Sequence, residues 1–223
     1  MIRLEGVEKI YRAEPPRVAL RDVNLRVRRG EFVAIVGRSG SGKTTILNLI
    51  GTLSRPTAGE ITLDQQNVAR MSERERAALR NGKIGYVFQS FNILPDLTAV
   101  ENVLLPARLA PRKIPDAYNR ALAALERVSL KDRADSYPSS LSGGAIQRVA
   151  IARALMMKPA ILLADEPTGN LDSETSLEIV ELFRSLHKEE GLTLLVVTHE
   201  EPVSRVADRV LHIEAGRICE NDE

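Results

Sequence analysis

Apolar and polar positions along this chain fall into two regimes. At the start, residues 2–7 alternate like a half-buried strand, and 18–27 alternate again. Residues 31–36 (EFVAIV) are a short apolar run that ends at a glycine, the mark of a fully buried strand. Residues 45–50 then carry apolar positions at helical spacing, with Gly51 as a stop. After a turn at 55–59, residues 60–64 read as a short strand. Residues 72–80 open with Ser72 and Glu75, a helix-capping pair, and 84–88 form a buried strand ending at Gln89. From about 91 to 158 strand patterns vanish and helices take over, at 98–109, 115–128 and 143–157. The second of these puts Ala121, Leu122, Leu125 and Val128 on one face, and the third stops before Pro159. The strand regime then resumes. Residues 160–164 run into Asp165-Glu166, a helix covers 173–190, a buried strand at 192–198 ends at His199, and 210–213 with 217–219 form a hairpin around Ala215-Gly216. The pattern predicts an α/β fold with a helical insertion.

The stretch Gly37-Arg38-Ser39-Gly40-Ser41-Gly42-Lys43-Thr44-Thr45 fits G-x-x-x-x-G-K-[ST]. It sits between a predicted strand and a predicted helix, which is the context that pattern needs. The glycines let successive backbone N–H groups face inward around phosphates, and the helix N-terminus adds a favourable field. Lys43 then reaches the β- and γ-phosphates and the Thr44 hydroxyl ligates Mg²⁺. This identifies a nucleotide site without saying what the nucleotide is used for.

In parallel α/β sheets ligands sit beyond the carboxyl ends of the strands. Four predicted strands end there in suitable groups. One ends in the phosphate loop, and the others end at Gln89, at Asp165-Glu166 and at Thr198-His199. The acidic pair alone could simply cap the next helix. Beside a phosphate loop, Asp165 suits Mg²⁺ coordination and Glu166 can orient and polarise an attacking water. His199 reads either as a structural histidine or as a partner of the γ-phosphate and the water. Gln89 reads as a surface amide or as a Mg²⁺ ligand that senses the γ-phosphate. Tyr11, beside Pro15-Pro16, reads as a strand-end aromatic or as a ring stacked on a base.

Composition narrows the setting. The 223 residues suffice for one α/β domain, and a charged fraction of 27% with net charge +1 gives no push toward nucleic acid. The single cysteine, Cys219, excludes an internal disulfide framework and suits a reducing compartment. The first residues, MIRLEG, lack the apolar core of a signal peptide, and no run of about 18 apolar residues occurs. The expectation is a cytosolic protein that would need a partner to act at a membrane.

Leu141-Ser142-Gly143-Gly144 follows, a small-residue helix start. Together with the other elements it makes the whole chain resemble the ATP-binding subunit of ATP-binding cassette (ABC) transporters. Tyr11 matches the family's adenine-stacking aromatic, 37–44 its phosphate loop (Walker A) and Gln89 its Q-loop. Residues 141–144 match its LSGG signature, 161–166 (ILLADE) its Walker B strand with the catalytic glutamate, 170–172 its D-loop and His199 its switch histidine. The resemblance implies a P-loop ABC ATPase fold in one domain. Residues 1–90 and 159–223 would form the nucleotide-binding core, with a mostly parallel sheet and an N-terminal antiparallel β subdomain, and 91–158 the helical subdomain. It implies ATP and Mg²⁺ as cofactors and ATP hydrolysis as the reaction. It also implies a homodimer on ATP binding, in which Ser142, Gly143 and Gly144 face the partner's γ-phosphate.

A narrower resemblance rests on 90–103 (SFNILPDLTAVENV) and 164–173 (ADEPTGNLDS), which are similar to the subfamily of lipoprotein-releasing (LolD), macrolide-export (MacB) and cell-division (FtsE) ATPases. It implies a membrane partner of the MacB/LolCE/FtsX type, a place on the cytoplasmic face of the inner membrane, and docking of that partner near 89–103. An FtsE-like regulatory ATPase that transports nothing is the alternative. Two residues depart from the pattern. Ala145 stands where Gln or Glu is usual, and Arg38 where this subfamily often has Pro. A soluble cassette for DNA repair or translation is disfavoured by the lack of a second cassette and of long coiled-coil insertions. LSGG disfavours a nucleotide kinase. No nucleic-acid partner is expected.

Overall fold

The computed structural model describes residues 1–219. Strand β1 (Ile2–Tyr11) pairs antiparallel with β2 (Arg17–Val27), and β3 (Phe32–Val36) leads into helix α1 (Lys43–Ile50). Strands β4 (Ala58–Leu63) and β5 (Gln66–Asn67) complete an antiparallel sheet of order β2-β1-β4-β5. Helix α2 (Glu73–Lys83) follows, then β6 (Ile84–Val87). Helices α3 (Ala99–Arg108), α4 (Ala117–Arg127) and α5 (Gly143–Leu155) come next. The chain returns through β7 (Ile161–Asp165), α6 (Ser173–Glu190), β8 (Thr193–Thr198), α7 (Glu201–Val206) and the β9 (Arg209–Glu214), β10 (Arg217–Cys219) hairpin. The second sheet has order β10-β9-β3-β8-β7-β6, parallel throughout except at the terminal hairpin.

The apolar runs are continuous because both faces of the parallel sheet are covered. Val33, Ile35, Leu163, Leu195 and Val197 point to one side, where α1 and the antiparallel sheet pack with Ile46, Leu47, Ile2 and Leu4. Phe32, Leu162, Leu194 and Val196 point to the other, against Val103, Leu125, Ile151 and Phe183 of the helices. The alternation in β1 sorts accordingly, with Ile2, Leu4 and Val7 buried and Arg3 and Glu5 exposed.

Local signals set the helix starts. The Ser72 hydroxyl accepts from the Glu75 N–H, and the Glu75 carboxylate accepts from the Ser72 N–H. Thr98 and Glu101 repeat this reciprocal cap on α3, so that helix begins at Ala99 rather than 98. Helix α4 begins at Ala117 rather than 115, because Asp116 sits at φ +52°. Among the strands and α-helices, two lay outside the sequence expectations. Strand β5 is only two residues long, and α7 is one and a half turns with little apolar pattern, marked mainly by Pro202 at its start.

Candidate functional site

The register places β3, β8, β7 and β6 side by side and parallel, so their carboxyl ends form one edge. The loop from β3, His199 after β8, Asp165 at the end of β7 with Glu166 after it, and Gln89 after β6 therefore meet. The loop, Glu166 and Gln89 border a cleft of about 340 Å³ lined also by Tyr11 and Arg17, and Asp165 and His199 stand behind it, in contact with Thr44 and Glu166. Lys43 stands at the start of α1 and is only 5% exposed. Its Nζ donates to the carbonyls of Gly37 (2.7 Å) and Arg38 (3.2 Å) and lies 3.5 Å from Glu166 Oε1. The loop thus holds its own lysine inward. Gly42 is at φ +115°, and a Cβ there would lie 2.8 Å from the Ala19 carbonyl, so neither the backbone nor the space admits a side chain.

The Thr44 hydroxyl donates to Asp165 Oδ1 at 3.1 Å. Asp165 is buried, and burial pushes its carboxyl above the ordinary value; the Thr44 hydrogen bond and the Lys43 charge pull the other way, while the Glu166 charge adds to the rise. A cation at this carboxylate would relieve that cost. The donors are hard oxygens, which suits Mg²⁺ completed by phosphate oxygens and water. Among the described residues no group of three or more His, Cys, Asp or Glu side chains could hold a metal without them.

Glu166 is bracketed, with Oε1 toward Lys43 and Oε2 3.1 Å from His199 Nδ1. Its backbone is left-handed, at φ +42°, with its N–H donating to Val197 O at 2.9 Å. Gln89 is exposed on the cleft, and its carbonyl accepts from Asn170 Nδ2 at 2.8 Å. Tyr11 ends β1 opposite Arg17 of β2. Its ring is partly exposed, with Lys9 Nζ 5.0 Å from the ring centroid. Both readings of Tyr11 describe the same position, a strand end that opens onto the cleft.

The structure does not bring Ser142, Gly143 and Gly144 into this cleft. They start α5, where the Ser142 hydroxyl accepts from the Ala145 N–H at 3.3 Å. Ser142 and Gly143 are exposed, while Gly144 is buried against α6, where a Cβ would come 2.4 Å from Thr175 Cγ2. Sequence reasoning missed Arg17 and Ala19 as cleft walls. The signal was available, since a hairpin closing at Tyr11 must place its second arm beside the same site.

A family model described as ABC transporter matches residues 20–169, from β2 through the phosphate loop and the LSGG helix to the loop after Glu166. The chain belongs to the ABC transporter family. Among its curated relatives is a macrolide export ATP-binding/permease protein MacB of Syntrophobacter fumaroxidans, 49% identical over 221 residues, which cover 98% of this chain but 31% of that protein. The chain therefore spans about a third of that relative. A lipoprotein-releasing system ATP-binding protein LolD of Bacteroides fragilis is 45% identical over 218 residues, 98% of this chain and 100% of that one. Among solved structures, a dimeric post-hydrolysis state of an ATP-binding cassette bound to ADP and Pi matches with TM-score 0.91 and 44% identity, over 99% of this chain and 97% of that one. The ABC chain is accordingly an ATP-binding, ATP-hydrolysing cassette of LolD/MacB type, and an FtsE-like regulatory role is not the reading these relatives favour. No described helix is long and apolar enough to cross a membrane.

Proposed function

We propose that the chain is the ATPase of a two-cassette transporter, in which two copies close on ATP and drive a membrane permease from its cytoplasmic face. The observation that carries this reading is the division of the candidate site. Lys43, Thr44, Asp165, Glu166 and His199 form one chain of contacts at the cleft, while the exposed Ser142 and Gly143 at the start of α5 do not line it. A free helix N-terminus with a hydroxyl and two glycines is built for an anion that its own chain does not supply. A second copy in head-to-tail arrangement supplies one.

In this reading the 37–45 loop and Lys43 hold the ATP phosphates, and Tyr11 stacks on the base. Thr44, Asp165 and Gln89 would hold Mg²⁺, which would supply charge neutralisation during phosphoryl transfer. Glu166 accepts a hydrogen bond from the attacking water and orients it in line with the γ-phosphorus. His199 fixes the Glu166 carboxylate and donates toward the γ-phosphate. Ser142 and Gly143 of the second copy add donors to the transferring group.

In this reading the permease docks on a groove of this chain. A groove of about 460 Å³ between α2, β6, α3 and α5 is lined by Leu53, Phe88, Leu105, Leu109, Arg80 and Arg153, among others. Leu109 is 77% exposed on it. Arg80 donates to Thr52 and Arg153 to the carbonyls of Phe91 and Asn92, but neither pairs with a carboxylate among the described residues. A short cytoplasmic helix of a permease, apolar with an acidic residue, fits that lining.

The test is size-exclusion chromatography with light scattering on Glu166→Gln in Mg-ATP. A dimer that reverts to monomer when ATP is removed is expected. A chain that stays monomeric at saturating ATP overturns the two-copy reading.

A further inference from the structure

We infer that Gln147 is a positioning residue for Glu166, tying the backbone of the general base to the helix that carries the signature residues. This rests on the ATPase reading above and adds a residue that neither the motifs nor the comparisons assign.

Glu166 needs holding. A left-handed φ of +42° is uncommon for a residue with a side chain. The next residue is Pro167, and a proline restricts its predecessor toward extended backbone. A backbone disfavoured on both counts persists only where its surroundings over-determine it. On the amino side, β8 supplies the Val197 carbonyl to the Glu166 N–H. On the carboxyl side, the Glu166 carbonyl accepts from the Gly169 N–H at 3.2 Å, a bond within the same loop. A side chain from elsewhere in the fold holds the next residue: Gln147 Nε2 donates to the Pro167 carbonyl at 2.5 Å.

Gln147 is fully buried, in the second turn of α5, five residues after Ser142. Its Oε1 is buried without a hydrogen-bond partner. The amide is therefore kept for its donor end, at the standing cost of an unpaired acceptor. That is the pattern of a group retained for what it holds rather than for stability. The same helix is keyed to α6 by Gly144 against Thr175 and continues to Arg153, which grips the segment after Gln89. Glu166 is thus referenced to α5, and α5 carries the residues offered to the second nucleotide.

The substitution Gln147→Met conserves length and volume, deletes the donor, and also removes the orphaned Oε1. These two changes oppose each other in stability. The full chain is purified and its steady-state ATPase and thermal midpoint are measured, with Gln147→Leu alongside so that the result does not depend on the fold of one variant. The expected result is a kcat reduced about tenfold or more, a KM for ATP within about twofold of the parent, and a melting temperature within about 3 °C. In the Glu166→Gln background, Gln147→Met should still dimerise in Mg-ATP, because Glu166 positioning is then irrelevant and the signature face is intact. An unchanged kcat in a folded variant overturns the inference. So does a KM that rises in parallel with a falling kcat, or a loss of ATP-driven dimerisation confined to the double variant, since either makes Gln147 a support of the nucleotide or signature face instead. If Glu166→Gln alone fails to dimerise, it is the two-copy reading that falls.

Discussion

Arg153 gives the sharpest test of how the segment after Gln89 is built. Phe91 and Asn92 are consecutive non-glycine residues at φ +58° and +52°. Each such residue costs about 1–2 kcal/mol relative to the right-handed region. Arg153, on α5, donates to both of their carbonyls, at 2.9 Å to Phe91 and to Asn92 as well. Burial lowers the pKa of its guanidinium from the ordinary arginine value, so the charge is held there against desolvation. Hydrogen bonds from a charged donor contribute about 1.5–3 kcal/mol each, so two give about 3–6 kcal/mol gross. Arg153→Met keeps an apolar stem and removes the fork. Release of the two left-handed residues returns about 2–4 kcal/mol, so the mid-range values leave a net loss of about 1–2 kcal/mol. For a chain of this size that lowers the melting temperature by about 2–8 °C. The loss is local, so amide exchange at residues 90–97 should accelerate about tenfold while β7 and β8 keep their protection. The reasoning is refuted if the melting temperature falls but exchange at 90–97 does not change. That would make Arg153 a general packing residue rather than a clamp on residues 91 and 92.

Two further outcomes follow from the geometry. Gly42→Ala forces a Cβ to 2.8 Å from the Ala19 carbonyl at φ +115° and should weaken ATP binding tenfold or more, read by titration with a fluorescent ATP analogue; an unchanged Kd would contradict the tight loop. In the α3 cap, the Thr98 N–H and then its hydroxyl hold Glu101 below the ordinary glutamate value. Its folded pKa is depressed, so its stabilisation is present above the unfolded value of about 4.3 and is lost as pH falls through the lower folded one. Glu101→Ala should therefore melt below the parent at pH 7, with the gap closing below about pH 4. A gap that does not narrow at all as the pH falls below about 4 would show that the carboxylate is not its cause.

What the sequence disclosed and what it hid divide along contact range. The phosphate loop, Asp165-Glu166, His199 and the Ser72 and Thr98 caps are readable because each is a short pattern whose partners lie within a few residues or at a strand end. The sheet order then brings those ends together without further information. Arg153 and Gln147 were not readable, since their acceptors Phe91 and Pro167 lie 62 and 20 residues away and an arginine or glutamine on a helix looks like a solvated face. Asn102 is the same case. It is fully buried, and its Nδ2 donates to the carbonyls of Leu94, Leu97 and Thr98 while its Oδ1 accepts from the Leu94 N–H, pinning residues 94–98 from the α3 side.

The departure at Ala145 illustrates the same division. A missing polar side chain in the signature could be taken as damage to the helix start. In the structure the residue's part in the cap is its backbone N–H, given to Ser142 Oγ at 3.3 Å, and any residue supplies that group. Ala145 itself is half-buried and packs against the helical core, and Gly144 beside it is held by contact with Thr175. The turn that presents Ser142 and Gly143 is thus built from main chain and small residues. The substitution leaves that presentation intact and removes only what a longer polar side chain would add beyond this chain's own surface.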